Sequence, residues 1–196
     1  ASAIISGVSY HLIDEVDGMM PLRSIKYGIR GQDVHYPDSS LICLENAHGS
    51  GKVLPLDYMK SVYELAKENN LNVHLDGARL FNAATFLQVD ASEICQYVDS
   101  VTFCLSKGLA SPIGSVLCGS KEFIRKARRG RKMLGGGMRQ VGILGAAGLI
   151  SLKEMTKRLK EDHDNAKYLA EKLHSIKEIE VDFSSLDINM VFIKST

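Results

Sequence analysis

Two runs set the architecture: Leu41-Ile42-Cys43-Leu44 and, a helix's length further on, Leu71-Asn72-Val73-His74-Leu75-Asp76. The first is continuously apolar, as a strand buried on both faces should be, and empties into the polar, Gly-rich Glu45-Asn46-Ala47-His48-Gly49-Ser50-Gly51. Between the runs, Leu56, Met59, Val62, Tyr63, Leu65 and Ala66 form one helical stripe over residues 55–70, with Pro55 near the start and Asn69-Asn70 closing it. Strand, helix and strand make a βαβ unit. Its right-handed crossover sets the two strands parallel, with their carboxyl ends on one edge. Ligands of open α/β sheets bind outside that edge.

Further strands extend the pattern on both sides. Val101, Phe103 and Leu105 alternate with polar or small residues and lead into Ser106-Lys107-Gly108-Leu109, a strand emptying into a loop. Before it, residues 80–87 and 91–97 read as helices; after it, 114–119 reads as a returning strand and 121–133 as a basic helix ending at Leu134-Gly135-Gly136-Gly137. Residues 139–152 and 154–174 are helical by period, the second with Met155, Leu159, Ala166, Leu169, Ala170 and Leu173 as its buried stripe. Residues 180–183 and 190–193 read as strands. Upstream, 1–9 reads as a strand, 25–29 as a weak strand, and Gly31 to Pro37 as a turn-rich segment in which Pro37 keeps Tyr36 extended. The expected fold is α/β, a large domain over residues 1–150 with a mostly parallel central sheet and helices on both faces. Residues 151–196 are expected to be connecting helices and the start of a small α+β domain.

The 196 residues are 45% hydrophobic and 24% charged, a globular composition that can bury a real core. With 24 basic and 23 acidic side chains there is no sign of a surface dedicated to nucleic acid or anionic membrane, so small molecules and further copies of the chain are the expected partners. No apolar run approaches a membrane span, and no signal peptide is visible. Cys43, Cys95, Cys104 and Cys118 form no CxxC pair and suit a reducing, cytoplasmic setting. Both ends read as cut through strands, so the chain is expected to be a piece of a longer polypeptide.

Lys107 and Asp76 fall at carboxyl ends of strands expected to be parallel and therefore converge on one crevice. A lysine in a partly desolvated pocket loses proton affinity, and its free amine can attack a carbonyl. A nearby carboxylate makes this the pairing that pyridoxal phosphate requires: an amine for the aldehyde and an acid for the pyridine nitrogen. Plainer readings stand beside it: Lys107 extending to water at a strand end, and Asp76 capping the helix that begins after Gly77. His74, Asp76 and His48 form an alternative set of metal ligands. The basic cluster from Arg125 to Lys132 lacks interleaved aromatics and reads as a solvated helix face. It could instead capture an anion through Lys132 and Arg139 flanking Gly135-Gly136-Gly137, where glycine lets the backbone approach a phosphate.

Three stretches taken together, His74-Leu75-Asp76-Gly77-Ala78-Arg79-Leu80-Phe81-Asn82-Ala83, Cys104-Leu105-Ser106-Lys107-Gly108-Leu109 and Arg131-Lys132-Met133-Leu134-Gly135-Gly136-Gly137-Met138-Arg139-Gln140, strongly resemble the low-specificity L-threonine aldolases, a fold-type I pyridoxal phosphate family. The stretch from Glu45-Asn46-Ala47-His48 through Lys52-Val53-Leu54-Pro55 is similar as well. The resemblance implies retro-aldol cleavage of L-threonine or L-allo-threonine to glycine and acetaldehyde. Lys107 would be the Schiff-base lysine and Asp76 the pyridinium partner. Arg79 would bind cofactor or substrate carboxylate, Lys132 and Arg139 would approach the cofactor phosphate, His11 would stack on the pyridine ring, and His35 would lie near the substrate β-hydroxyl. It also implies a homo-oligomer, a dimer of dimers, with sites at subunit interfaces. The chain departs from the family pattern where Ile13 and Glu15 follow His11, and the stretch from His11 to His35 is shorter than usual.

Overall fold

The computed structural model describes residues 2–31 and 33–195. Ala1, expected in the first strand, and Gln32, expected in a turn, lie outside them. The order is α1 (Ser2–Ser6), α2 (Leu22–Gly28), β1 (Leu41–Glu45), α3 (Leu56–Glu68), β2 (Asn72–Asp76), α4 (Leu80–Leu87), α5 (Ala91–Cys95), β3 (Ser100–Cys104), β4 (Ser115–Gly119), α6 (Lys121–Met133), α7 (Gly142–Glu154), a 3-10 turn at Met155–Arg158, α8 (Leu159–His174), β5 (Ile179–Val181) and β6 (Ile193–Ser195).

The expected βαβ unit is present. β1 and β2 run parallel with Glu45 opposite Asp76, and β3 is parallel to β2 with Thr102 opposite Asp76. β4 returns antiparallel on β3, giving a four-stranded sheet in the order β1-β2-β3-β4; β5 and β6 form a separate antiparallel pair. One face of the main sheet is dry. Ile42 and Leu44, Val73 and Leu75, and Val101 and Phe103 pack with Met59, Val62 and Ala66 of α3, with Leu80, Ala83 and Ala84 of α4, and with Ile94. The alternation in β2 falls as read, with Val73 and Leu75 fully buried and His74 and Asp76 on the other face.

Four expectations need correction. β1 is not buried on both faces: Leu41 is 51% exposed while Ile42 is 7% exposed, so its apolar run conceals an ordinary one-sided alternation. Residues 2–6 are a helix rather than a strand, with Ile4 90% exposed; with no neighbouring strand to complete a ladder, the segment satisfies its backbone locally. Residues 25–29 are likewise not a strand. α2 follows Pro21, whose carbonyl accepts the N–H groups of Ser24 and Ile25, and it buries Ile25 alone. The segment read as one helix over 154–174 breaks into the 3-10 turn and α8. The buried stripe of α8 is Leu159, His163, Ala166 and Ala170, and Leu169 is exposed.

The C-terminal segment is tied to the main sheet by polar contacts. Asp187 accepts the Val53 N–H at 2.9 Å, and Lys52 Nζ donates to the Ser184 carbonyl at 2.8 Å. Gly51, at φ +87°, lies so close to the Ser185 carbonyl that no Cβ fits there. Among the described residues no helix is long and apolar enough to cross a membrane.

Gly77 sits under the same packing constraint immediately after Asp76. A Cβ added there would lie 2.9 Å from the Thr102 carbonyl oxygen and 3.0 Å from Val101 Cγ2. Gly77→Ala is expected to force β2 and β3 apart and destabilise the chain by about 1–3 kcal/mol. Urea unfolding of the variant against wild type measures it, and an unchanged midpoint would contradict this account of the strand end.

Candidate active site

Three strand ends meet at the carboxyl edge of the sheet. Glu45 closes β1, Asp76 closes β2, and Lys107 lies three residues beyond β3, in register terms five past the partner of Asp76. Both Asp76 and Lys107 are exposed at this edge. Asp76 has one settled partner, the N–H of Ala78, which donates to Oδ1 at 3.0 Å and holds the carboxylate at the turn into α4. The helix-cap reading is not met: α4 begins at Leu80 with Arg79 as its N-cap, and Asp76 braces only the turn before it, leaving an accessible carboxylate.

The Lys107 loop is closed by its own hydrogen bonds. Leu105 N–H donates to Gly114 O, Ser111 N–H to Leu105 O and Ala110 N–H to Lys107 O, each at 2.9 Å. The buried hydroxyls of Ser111 and Ser151, 2.6 Å apart, fasten the loop to α7, and Leu109 is buried. A rigid backbone thus presents an exposed amine. Arg79, at the start of α4, is half-buried and reaches back to Glu45, its Nη1 3.4 Å from Oε1. Glu45 also faces His48 Nε2 at 3.7 Å, with Glu15 on the other side at 3.9 Å. The Glu45 link, which orients Arg79 along the edge, escaped the sequence reading because a strand-terminal glutamate carries no distinctive signal.

The remaining candidates stand apart. His11 is exposed in the segment before α2, its ring packed on Gly28 so closely that a Cβ there would lie 2.6 Å from Cδ2. His35 is exposed in a turn whose backbone N–H donates to Asp33 Oδ1 at 2.8 Å. Lys132, at the end of α6, and Arg139, before α7, are exposed; the Lys132 chain lies along Gly137, where a Cβ would be 2.5 Å from Cδ and 3.0 Å from Nζ. Among the described residues, no hydrogen bond or ion pair joins any of these four side chains to Asp76 or Lys107. The side chains of the metal alternative hold separate partners. His74 Nδ1 is 2.8 Å from Ser100 Oγ and His48 Nδ1 is 2.8 Å from Ser50 Oγ, and no group of three or more His, Cys, Asp or Glu poised for a metal is found among the described residues.

Burial pushes the His74 pKa below its ordinary value despite the opposing charge of Asp76, and burial does the same to His163. Both imidazoles therefore take up a proton less readily in the fold than in the unfolded chain, which does so near pH 6.5. Their contribution to stability is therefore complete above that pH and is lost as pH falls through the lower folded values. Urea unfolding at pH 7.5 and pH 5.5 is expected to show the drop, and the double variant His74→Gln/His163→Gln should reduce the difference between the two conditions.

A cavity of about 310 Å³ lies between α4, α5 and the β3–β4 pair, lined in part by Phe81, Cys95, Val101 and Cys118, and includes neither Asp76 nor Lys107. The edge site carries both side chains exposed. Its donor set nonetheless fits a pyridoxal phosphate at two points: an accessible carboxylate for a ring N–H, and an accessible amine from the next strand for an aldehyde.

An open, mostly parallel sheet carrying an exposed amine and an exposed carboxylate past neighbouring carboxyl ends defines the chain as an α/β protein. Residues 1–196 match the beta-eliminating lyase family, and the chain belongs to it. It is 46% identical over 194 residues to the low specificity L-threonine aldolase of Escherichia coli (strain K12), covering 98% of this chain and 57% of that one. It is 46% identical over 183 residues to low-specificity L-threonine aldolase 1 of Arabidopsis thaliana, covering 91% and 51%. The chain thus spans about half the length of the curated relatives it matches. A solved structure from Listeria monocytogenes EGD-E, a candidate L-allo-threonine aldolase, superposes with a TM-score of 0.82 at 24% identity over 97% of this chain and 52% of that one. The shared architecture is the fold-type I one expected from the sequence, a mostly parallel sheet with helices on both sides.

Proposed function

We propose that this chain is the cofactor-binding part of a pyridoxal 5'-phosphate-dependent L-threonine aldolase, a carbon–carbon lyase that cleaves L-threonine or L-allo-threonine to glycine and acetaldehyde. The observation that carries it is the placement of Asp76 at the end of β2 and of Lys107 just past the end of β3, on one carboxyl edge, in a chain 46% identical to enzymes of that name. When bound, pyridoxal phosphate supplies an electron sink for the pair released from the Cα–Cβ bond. The rest is done by side chains. Lys107 would hold the cofactor covalently through its amine, and Asp76, at the end of β2, would hold the proton on the ring nitrogen by its opposite charge. Arg79, kept at the edge by Glu45, would bind the substrate carboxylate. Lys132 and Arg139 would meet the phosphate, His11 would cover the ring, and His35 would stand by the β-hydroxyl whose proton must leave as the aldehyde forms.

In this reading the sites complete themselves between subunits of a homotetramer. α7 is apolar around its circumference yet leaves Ile143, Leu149 and Ile150 largely exposed, the kind of helix another subunit covers. The proposal extends to a cytoplasmic enzyme of threonine catabolism and glycine formation, with residues 1–150 as the large domain and 151–196 leading into a small one. Product analysis of the full-length protein with L-threonine tests it: equimolar acetaldehyde and glycine are expected, whereas a keto acid product would replace this reading with transamination or β-elimination.

A further inference from the structure

Behind the Lys107 loop lies a buried polar cluster that the proposed chemistry does not use. Asn82 of α4 and His163 of α8 are each 4% exposed. Asn82 Nδ2 donates to His163 Nε2 at 3.2 Å and to Asn189 Oδ1 at 3.0 Å, so one amide joins α4, α8 and the C-terminal segment. Its carbonyl faces Gly108, the residue after Lys107. A Cβ at Gly108 would stand 3.2 Å from Asn82 Oδ1 and 2.9 Å from Leu159 Cδ2. The loop backbone therefore rests on the cluster with no room for a side chain between them.

We propose that Asn82, His163 and Asn189 form a clamp that positions the Lys107 loop, and that the clamp holds only while His163 Nε2 is unprotonated. The proposal rests on Lys107 being the cofactor lysine. Accepting from Asn82 places the His163 proton on Nδ1. A proton added at Nε2 would set two donors against each other in a dry site, so the amide must turn or withdraw, and either movement disturbs the surface beneath Gly108. The charged groups acting on His163 are Asp162 and Asp164, which favour protonation, and Lys160 and Lys167, which oppose it; all four lie on α8, and burial outweighs them. From α4 it meets the neutral amide of Asn82, which in turn donates to Asn189 of the C-terminal segment. His163 is thus a positioning residue and the titrating member of the clamp.

The test is amide hydrogen exchange of the peptide spanning residues 105–111 in full-length protein with pyridoxal phosphate, at pH 8 and pH 5.5, expressed as protection relative to the unstructured rate. Wild-type protection is expected to fall on the order of tenfold at the lower pH. His163→Gln, whose side-chain carbonyl can accept from Asn82 without titrating, is expected to keep wild-type protection at pH 8 and to change less than about twofold at pH 5.5. Asn82→Ala is expected to lose protection at both. A wild-type loop as protected at pH 5.5 as at pH 8, or a His163→Gln loop that follows the wild-type profile, would overturn the clamp. Borohydride reduction of the same samples keeps the two ideas separate. Cofactor fixed on a lysine other than Lys107 overturns the functional reading, whereas Lys107 labelled beside a flat wild-type exchange profile overturns the clamp alone.

Discussion

Lys107→Ala is expected to lower acetaldehyde release from L-threonine by at least about 10³-fold while leaving the fold intact. The loop does not depend on the side chain. Its closure is made by backbone bonds at Leu105, Ala110 and Ser111, by the Ser111–Ser151 hydroxyl pair and by buried Leu109, none of which involves the Lys107 amine. Removing an exposed side chain from such a loop costs little stability, whereas removing the Lys107 amine takes away the proposed covalent attachment of the cofactor. Circular dichroism and a thermal melt should match wild type within a few degrees, and the aldehyde assay should not. A variant retaining more than about a tenth of wild-type turnover would remove Lys107 from the site.

The second large effect belongs to Asp76. Asp76→Asn keeps an oxygen to accept the Ala78 N–H, so the turn into α4 is preserved. What disappears is the negative charge, and with it the bias toward a protonated ring nitrogen. Turnover is expected to fall on the order of 10²-fold or more, with the cofactor still held through Lys107. The split between retained attachment and lost turnover separates Asp76 from a merely structural turn residue, for which Asn would serve as well. Near-wild-type turnover in Asp76→Asn would assign the carboxylate to the turn alone.

The parts of the fold that were legible in the sequence are those in which local pattern and tertiary packing agree. The α3 stripe, the alternation of Val73 and Leu75 against His74 and Asp76, and the span of α6 from Lys121 to Met133 all appear as the periodicity reads them. The failures have physical sources. Isoleucines near the start suggested a strand, but strand formation requires a partner, and residues 2–6 have none among the described residues. Pro21 marked the beginning of α2, a signal outweighed in the sequence by the β-branched residues at 25 and 29. The placement of Lys107 and Asp76 at the carboxyl edge was legible because strand ends can be read from pattern and the parallel connection is constrained. The Glu45–Arg79 pair and the Asn82–His163–Asn189 cluster were not, since each joins residues far apart in sequence. His163 did leave a trace. It occupies a stripe position between Leu159 and Ala166, and a polar residue on the buried stripe of a helix must find a buried partner.

The carboxyl edge between β2 and β3 is the proposed place of cofactor attachment. Borohydride reduction of the full-length protein with pyridoxal phosphate, followed by peptide mass mapping, tests it most directly. One stoichiometric cofactor mass is expected on the peptide bearing Lys107, and none on that peptide in Lys107→Ala. Attachment at another lysine, or none in a folded full-length protein, would contradict it.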